Sequence, residues 1–305
     1  MRRIPALIIL RNMLRSIETE QRTCGNDVDM LKAERQANIL KMLQERPFLT
    51  TDELCSAFAV SVMTARRDIR ELNNQGLVSL EHGGVSIAGY LQKFVEPAYQ
   101  TKYFINRKQK EAIGREAAGR ISDSDSVLLD SGTTTLQIAK ALAQSPPRNV
   151  TVFTNDIAVA KELSVSNTIQ VISLGGVIRP SYFAAYGLFT EMALQSIRAD
   201  KLFLAVDGAS RERGLSNSVY EEIPVKHRMI EAAEKVYVVC DSSKFSVDTA
   251  YRVCGWDTVQ EVITDGAVQP EFLSFFEKAG IALGIAESSG LRFAEGGART
   301  RENDG

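Results

Sequence analysis

Histidine is scarce in this chain of 305 residues, which has only His82 and His227, and its four cysteines, Cys24, Cys55, Cys240 and Cys254, stand far apart. With no Cys-x-x-Cys and no histidine pair at ligand spacing, a zinc finger, a dithiol redox site and a disulfide framework are excluded, and no metal is expected. The thiols read as reduced cysteines of a cytoplasmic protein. Neither G-x-x-x-x-G-K nor G-x-G-x-x-G occurs, so ATP and dinucleotides are poor candidates and no cofactor is expected. No apolar run approaches the ~20 residues that span a bilayer, and no membrane partner is expected. The nearest run, over 4–10, is interrupted by Pro5. An excess of either charge is missing too: 36 Lys and Arg face 38 Asp and Glu, a net −2. That balance does not advertise nucleic-acid binding, but it leaves room for a basic face on one element.

At about 150 residues per domain, the length predicts two domains. Residues 1–30 carry early arginines and then become polar and patternless. They read as a poorly ordered extension, with Met30 an alternative start just before patterned sequence begins at Leu31. Ile39, Leu40 and Leu43 form the stripe of a first helix that ends near Arg46, ahead of Pro47. Thr51 reads as the N-cap of a second helix with Leu54, Ala57 and Phe58 on its buried face. Val60-Ser61-Val62 is a turn, and Ser61 caps a third helix over 63–75 that Gly76 closes.

Ala65, Ile69 and Leu72 must face the core of this module, which turns Met63, Thr64, Arg66, Arg67, Arg70 and Asn74 outward. Three arginines within one and a half turns of a single helix suit phosphate contact while the helix N-terminus reads base edges. The competing reading pairs these arginines with Asp68 and Glu71 on the same helix. Short strands over 77–80 and 85–87, around Gly83-Gly84, make a wing. His82 is either a solvated turn residue or a DNA contact. The candidate DNA-binding residues are Ser61, Met63, Thr64, Arg66, Arg67 and Arg70, in a winged helix-turn-helix over 31–89.

These segments resemble the N-terminal signature of the DeoR family of bacterial transcriptional regulators: Glu34-Arg35, then Val60-Ser61-Val62-Met63-Thr64-Ala65-Arg66-Arg67-Asp68-Ile69, Gly76-Leu77 and His82-Gly83-Gly84. Ala65 stands where the family usually has Ile or Val, and Glu81 where a basic residue is common. The resemblance implies double-stranded operator DNA as partner. Palindromic operators mirror protein symmetry, so at least a homodimer is expected.

Residues 90–106 lack periodicity and read as a linker. Beyond them strands over 126–130, 150–153, 169–174, 201–206, 235–241 and 259–264 alternate with helices over 108–121, 133–143, 156–163, 191–197, 225–233 and 271–278. Apolar strands alternating with helices predict an α/β domain, over 107–284, with a mostly parallel sheet covered on both faces. Residues 285–305 read as a disordered tail. Ligands of such sheets bind beyond the carboxyl ends of the strands. The residues there are polar: Asp130 with Ser131-Gly132-Thr133-Thr134-Thr135, Thr154-Asn155, Gly175-Gly176 with Arg179, Asp207-Gly208, and Asp241-Ser242-Ser243-Lys244. Hydroxyls, a glycine and free N–H groups opening a helix make an anion site suited to phosphate.

The second half likewise resembles the DeoR sensor domain, through Leu129-Asp130-Ser131-Gly132-Thr133-Thr134, Leu174-Gly175-Gly176, Val206-Asp207-Gly208, Glu221-Glu222 with Lys226, and Asp241-Ser242-Ser243-Lys244-Phe245. The family's sensor is similar in fold to ribose-5-phosphate isomerase, and its effectors are typically phosphorylated sugars. The resemblance implies phosphate on the 131–134 loop with Lys244 supplying charge, and sugar hydroxyls on Asp130, Asn155, Asp207, Glu222 and Lys226. Thr154, Gly175, Gly176, Arg179 and Gly208 complete the candidate set. Tyr182, Phe183 and Tyr186 either pack the core or shape the pocket wall. The function implied is a regulator, most often a repressor, of a carbohydrate-metabolism operon. The alternative is a sugar-phosphate isomerase or transferase with Asp207 or Glu222 as base, for which a winged helix has no use.

Overall fold

A computed structural model describes residues 30–46, 48–81, 83–87, 97–180 and 182–287. The readings of 1–29 as an extension, of His82 and of the tail from 288 onward lie outside these residues.

The first unit has three helices, α1 (Lys32–Glu45), α2 (Thr51–Phe58) and α3 (Val62–Asn74). Its strands β1 (Phe48–Thr50), β2 (Val78–Glu81) and β3 (Gly84–Ile87) form an antiparallel sheet in the order β1-β3-β2. Ile39, Leu43, Leu49, Leu54, Ile69 and Leu72 make its core. The N-cap of α2 is Thr50, one residue before the expected Thr51. Its hydroxyl accepts the Glu53 N–H while the Glu53 carboxylate accepts the Thr50 N–H, a reciprocal cap that outcompetes a single hydroxyl. Ser61 caps α3 as expected, accepting from the Thr64 N–H at 3.2 Å.

Within the span expected to be linker, Tyr99–Phe104 forms a short helix, α4, directly followed by α5 (Arg107–Ala118). Its buried residues, Tyr99 and Thr101, are held by tertiary contacts, which leave no periodic signal in so short a segment. The second unit then alternates: β4 (Ser126–Leu129), α6 (Thr135–Gln144), β5 (Val150–Thr154), α7 (Ile157–Leu163) and β6 (Ile169–Ser173). After a small hairpin of β7 (Val177–Ile178) and β8 (Ala185–Tyr186) come α8 (Leu188–Gln195) and β9 (Ala199–Leu204). Strands β10 (Gly208–Ser210) and β11 (Gly214–Asn217), helix α9 (Ile223–Ala232), β12 (Ala233–Val239), β13 (Tyr251–Cys254), β14 (Glu261–Asp265), α10 (Pro270–Ala279) and β15 (Ala282–Ala286) complete it.

Seven strands form one parallel sheet in the order β15-β14-β12-β9-β4-β5-β6. Each central strand sends alternate side chains to opposite cores: Leu202 and Leu204 one way and Phe203 the other, Val236 and Val238 one way and Tyr237 and Val239 the other. The last strand, β15, runs into the residues expected to be tail. Its pairing with β14 orders a segment whose own pattern is weak. Strands β10, β11 and β13 form a separate antiparallel sheet that the sequence pattern did not disclose.

From β4 the chain winds outward through β5 to β6, then returns to β9 on the other side of β4. The carboxyl ends of β4 and β9 therefore flank the point where strand order reverses, where a crevice must open.

Candidate functional site

On α3, Ala65, Asp68, Ile69 and Leu72 are buried, while Met63, Arg66, Arg67 and Arg70 are exposed. The arginines do not pair along the helix. Asp68 turns inward to Arg35 of α1 at 2.5 Å, and Glu71 takes Lys32 and Gln36. Among the described residues, Arg66, Arg67 and Arg70 make no ion pair, and they share one open concavity with Ser61 and Met63. Thr64 is half-buried beside the cap. The acids that would have neutralised α3 are spent holding it to α1, which leaves a cationic face.

At the switch point lies a pocket of about 550 Å³, its mouth included. It is lined by Ser131, Gly132, Thr133 and Thr134 before α6, and by Asp207, Glu222, Lys226 and Lys244. The Ser131 N–H goes to Asp130 and the Gly132 N–H to Asp156, so those two donors hold the loop in shape. The amides of Thr133 and Thr134 find no acceptor among the described residues. Thr134 is the N-cap of α6 and Thr133 precedes it, so both amides stand at an open helix N-terminus, where anions bind.

Asp130 does not line the pocket. It is 1% exposed and stands behind the loop, accepting from Lys226 Nζ at 2.5 Å, the Ala205 N–H at 3.0 Å and the Ser131 N–H at 2.8 Å. Thr154 and Asn155 are buried one strand away, bonded to the Asp156 N–H and the Ala185 carbonyl. The Gly175 carbonyl takes the Thr190 hydroxyl, Gly176 packs on Tyr186, and Gly208 packs on Val247 and Ser216. Arg179 lies over the Tyr182 ring at 3.6 Å and pairs with Glu222 at 2.8 Å. Of the three aromatics, Tyr182 lines the pocket and donates to the Pro97 carbonyl, Phe183 meets Tyr99 edge-on, and Tyr186 packs on the core.

Sequence reasoning missed Tyr99, Lys102, Lys110, Asn217 and Cys240 on the pocket wall. Lys110 carried a signal, a lysine on the buried side of a helix. Tyr99 and Lys102 carried none.

Four lysines, Lys102, Lys110, Lys226 and Lys244, thus face two carboxylates, Asp207 and Glu222, on one wall. Lys102 donates to Asp207 at 2.6 Å and Lys226 to Asp130. Burial opposes the charge on Asp207, but Lys102 and Lys244 outweigh it and hold the carboxyl below its ordinary range. Burial equally opposes the charge on Lys226, which Asp130 and Glu222 stabilise beyond the usual lysine range. Lys110 donates to the Lys102 carbonyl at 2.6 Å; burial pushes it down to about 7, with Asp241 opposing and Lys244 and Lys102 assisting. Glu222 is held by Arg179 and by Asn217. Both candidate bases therefore serve as ion-pair partners, a poor state for proton abstraction. Among the described residues there is no cluster with metal-ligand character and no helix long and apolar enough to cross a membrane.

Residues 35–89 match the DeoR-like helix-turn-helix domain, and residues 105–266 match the DeoR C terminal sensor domain. A putative aga operon transcriptional repressor of Escherichia coli O157:H7 is 31% identical over 249 residues, covering 82% of this chain and 92% of that protein. Transcriptional repressor AccR of Agrobacterium fabrum is 34% identical over 238 residues, covering 77% and 90%. HTH-type transcriptional repressor GlcR of Bacillus subtilis is 31% identical over 258 residues, covering 85% and 98%. Ribose 5-phosphate isomerase A of Neisseria gonorrhoeae aligns over 48% of this chain and 54% of its own, with 14% identity and a TM-score of 0.34, a likeness too loose to carry a functional argument. The chain belongs to the DeoR family of transcriptional regulators, with a DNA-binding helix-turn-helix domain ahead of the family's sensor domain.

Proposed function

We propose that this protein is a cytoplasmic repressor of a carbohydrate-metabolism operon, that it binds double-stranded operator DNA as at least a homodimer, and that a phosphorylated sugar controls its DNA affinity. The observation that carries the effector class is the pocket at the switch point, where an open helix N-terminus and four lysines face the same space. Phosphate sits on the 131–134 loop near Lys244, and Asp207, Glu222 and Asn217 take sugar hydroxyls. Asp130 acts from behind, holding Lys226 and the loop. The repressor names of several relatives support the direction of control. In the first unit, Arg66, Arg67 and Arg70 hold phosphates while Ser61, Met63 and Thr64 approach base edges.

A thermal-shift panel of phosphorylated sugars and their unphosphorylated counterparts tests the effector class. A ligand at about 100 times its Kd adds about 2.7 kcal/mol. At about 2 to 4 °C per kcal/mol that shift is easily read. Shifts confined to phosphorylated sugars, and abolished in Lys244→Ala, are expected. Undiminished affinity in Lys244→Ala would overturn the phosphate placement.

A further inference from the structure

The pocket and α3 are joined through α4, which lies between the two segments that match the family domains, 35–89 and 105–266. Its consecutive residues Thr101 and Lys102 bond in opposite directions. Lys102 reaches into the pocket to Asp207 at 2.6 Å. Thr101, 2% exposed, donates its hydroxyl to Gln36 of α1 at 3.3 Å. Gln36 then donates to Glu71 of α3 at 2.9 Å, next to Arg70. The Lys102 carbonyl accepts Lys110 Nζ, and just beyond α4 Asn106 donates to Asp241 and Ser243 at the end of β12.

The bonds from Asp207 through Lys102, Thr101 and Gln36 to Glu71 are between buried or half-buried polar groups, each of which costs free energy when its partner moves away. Lys102 is also the member with a choice. It shares the pocket wall with the anion loop, so a bound phosphate competes with Asp207 for its ammonium. An exposed lysine would answer such competition by swinging its stem; Lys102 is 19% exposed, and Lys110 on the same wall is bonded to its carbonyl, so an anion that draws both ammonium groups displaces the α4 backbone with them.

We propose that Lys102 is an effector-contacting residue and that α4 is the element through which the pocket positions α3, by way of Thr101, Gln36 and Glu71. The ligand half rests on the sugar-phosphate reading above. Binding draws the Lys102 ammonium from Asp207 towards the anion, frees the Asp207 carboxylate for a sugar hydroxyl, and shifts the Thr101–Gln36 contact that orients α3. The ligand favours the arrangement in which Lys102 faces it, and that difference in affinity is what moves the equilibrium.

Hydrogen exchange read by mass spectrometry on the full chain tests both halves. Without ligand, Lys102→Met combined with Asp207→Asn removes both charges of the tether together. It is expected to change exchange in peptides of α1 and α3 by about fivefold or more, which corresponds to a coupling free energy of about 1 kcal/mol at the low end of what sites exchange. Unchanged exchange there overturns the coupling, whatever binds the pocket. With glucose 6-phosphate as probe and inorganic phosphate beside it, the wild-type chain is expected to show a thermal shift and altered exchange in α1 and α3. Thr101→Val should keep the thermal shift and lose the α1 and α3 response; a response equal to wild type overturns the route. A thermal shift from neither probe overturns the Lys102 contact, while the ligand-free arm still decides the coupling.

Discussion

At the scale of single residues, the pocket is built on pairs whose members cannot be changed alone. Asp130→Asn takes from the Lys226 ammonium, 2% exposed, the counter-charge bonded to it. It is expected to cost about 3 to 5 kcal/mol. Asp130→Asn with Lys226→Met should recover much of that loss, as urea titration of the single and double variants would read. Lys110 sets a pH dependence. Its ammonium is depressed to about 7 in the free pocket, and a bound dianion raises it again, so the complex holds more protons than the free protein above pH 7. Affinity for a sugar phosphate should therefore fall as pH rises above 7. It should also fall below about 6, where the phosphate loses its second charge. Calorimetric titration across pH is expected to lose the upper limb in Lys110→Met. The 131–134 loop was legible because hydroxyls and a glycine between an apolar strand and a helix have few other uses. That Asp130 turns inward was not, since a carboxylate at a strand end reads the same whether it meets ligand or a buried lysine.

At the scale of elements, α3 carries a free cationic face only because α1 consumes its acids. Arg66→Ala with Arg67→Ala touches no buried group, so stability should change by less than about 1 kcal/mol in all. The slope of log affinity against log salt for duplex DNA should fall by about 0.9 for each phosphate that is no longer neutralised. Asp68→Asn acts oppositely: it strands Arg35, 6% exposed, and should destabilise the first unit before any DNA measurement becomes meaningful. The helices were readable from periodicity, whereas the partners of Asp68 and Glu71, 33 and 35 residues away, were not. The same limit explains β15, whose order comes from β14, and α4, whose six residues are too few for a period to develop.

At the scale of the whole molecule, the order of strands decides which polar ends meet. The sequence placed five polar clusters on one edge of a sheet, but it could not say which strands are neighbours. The ends of β4, β9 and β12 are adjacent and converge on the pocket; those of β5 and β6 lie beyond, so Thr154, Asn155, Gly175 and Gly176 became packing residues. Among the described residues, a lysine-rich pocket in the second unit and a basic helix in the first are linked by hydrogen bonds that run through α4. Fluorescence anisotropy on a duplex recovered by selection against the purified protein, titrated with phosphorylated sugars and their unphosphorylated counterparts, tests that arrangement most directly. At least one phosphorylated sugar is expected to change DNA affinity by about 5- to 150-fold, and its unphosphorylated counterpart to do nothing. DNA affinity that stays constant while a sugar phosphate fills the pocket would contradict it.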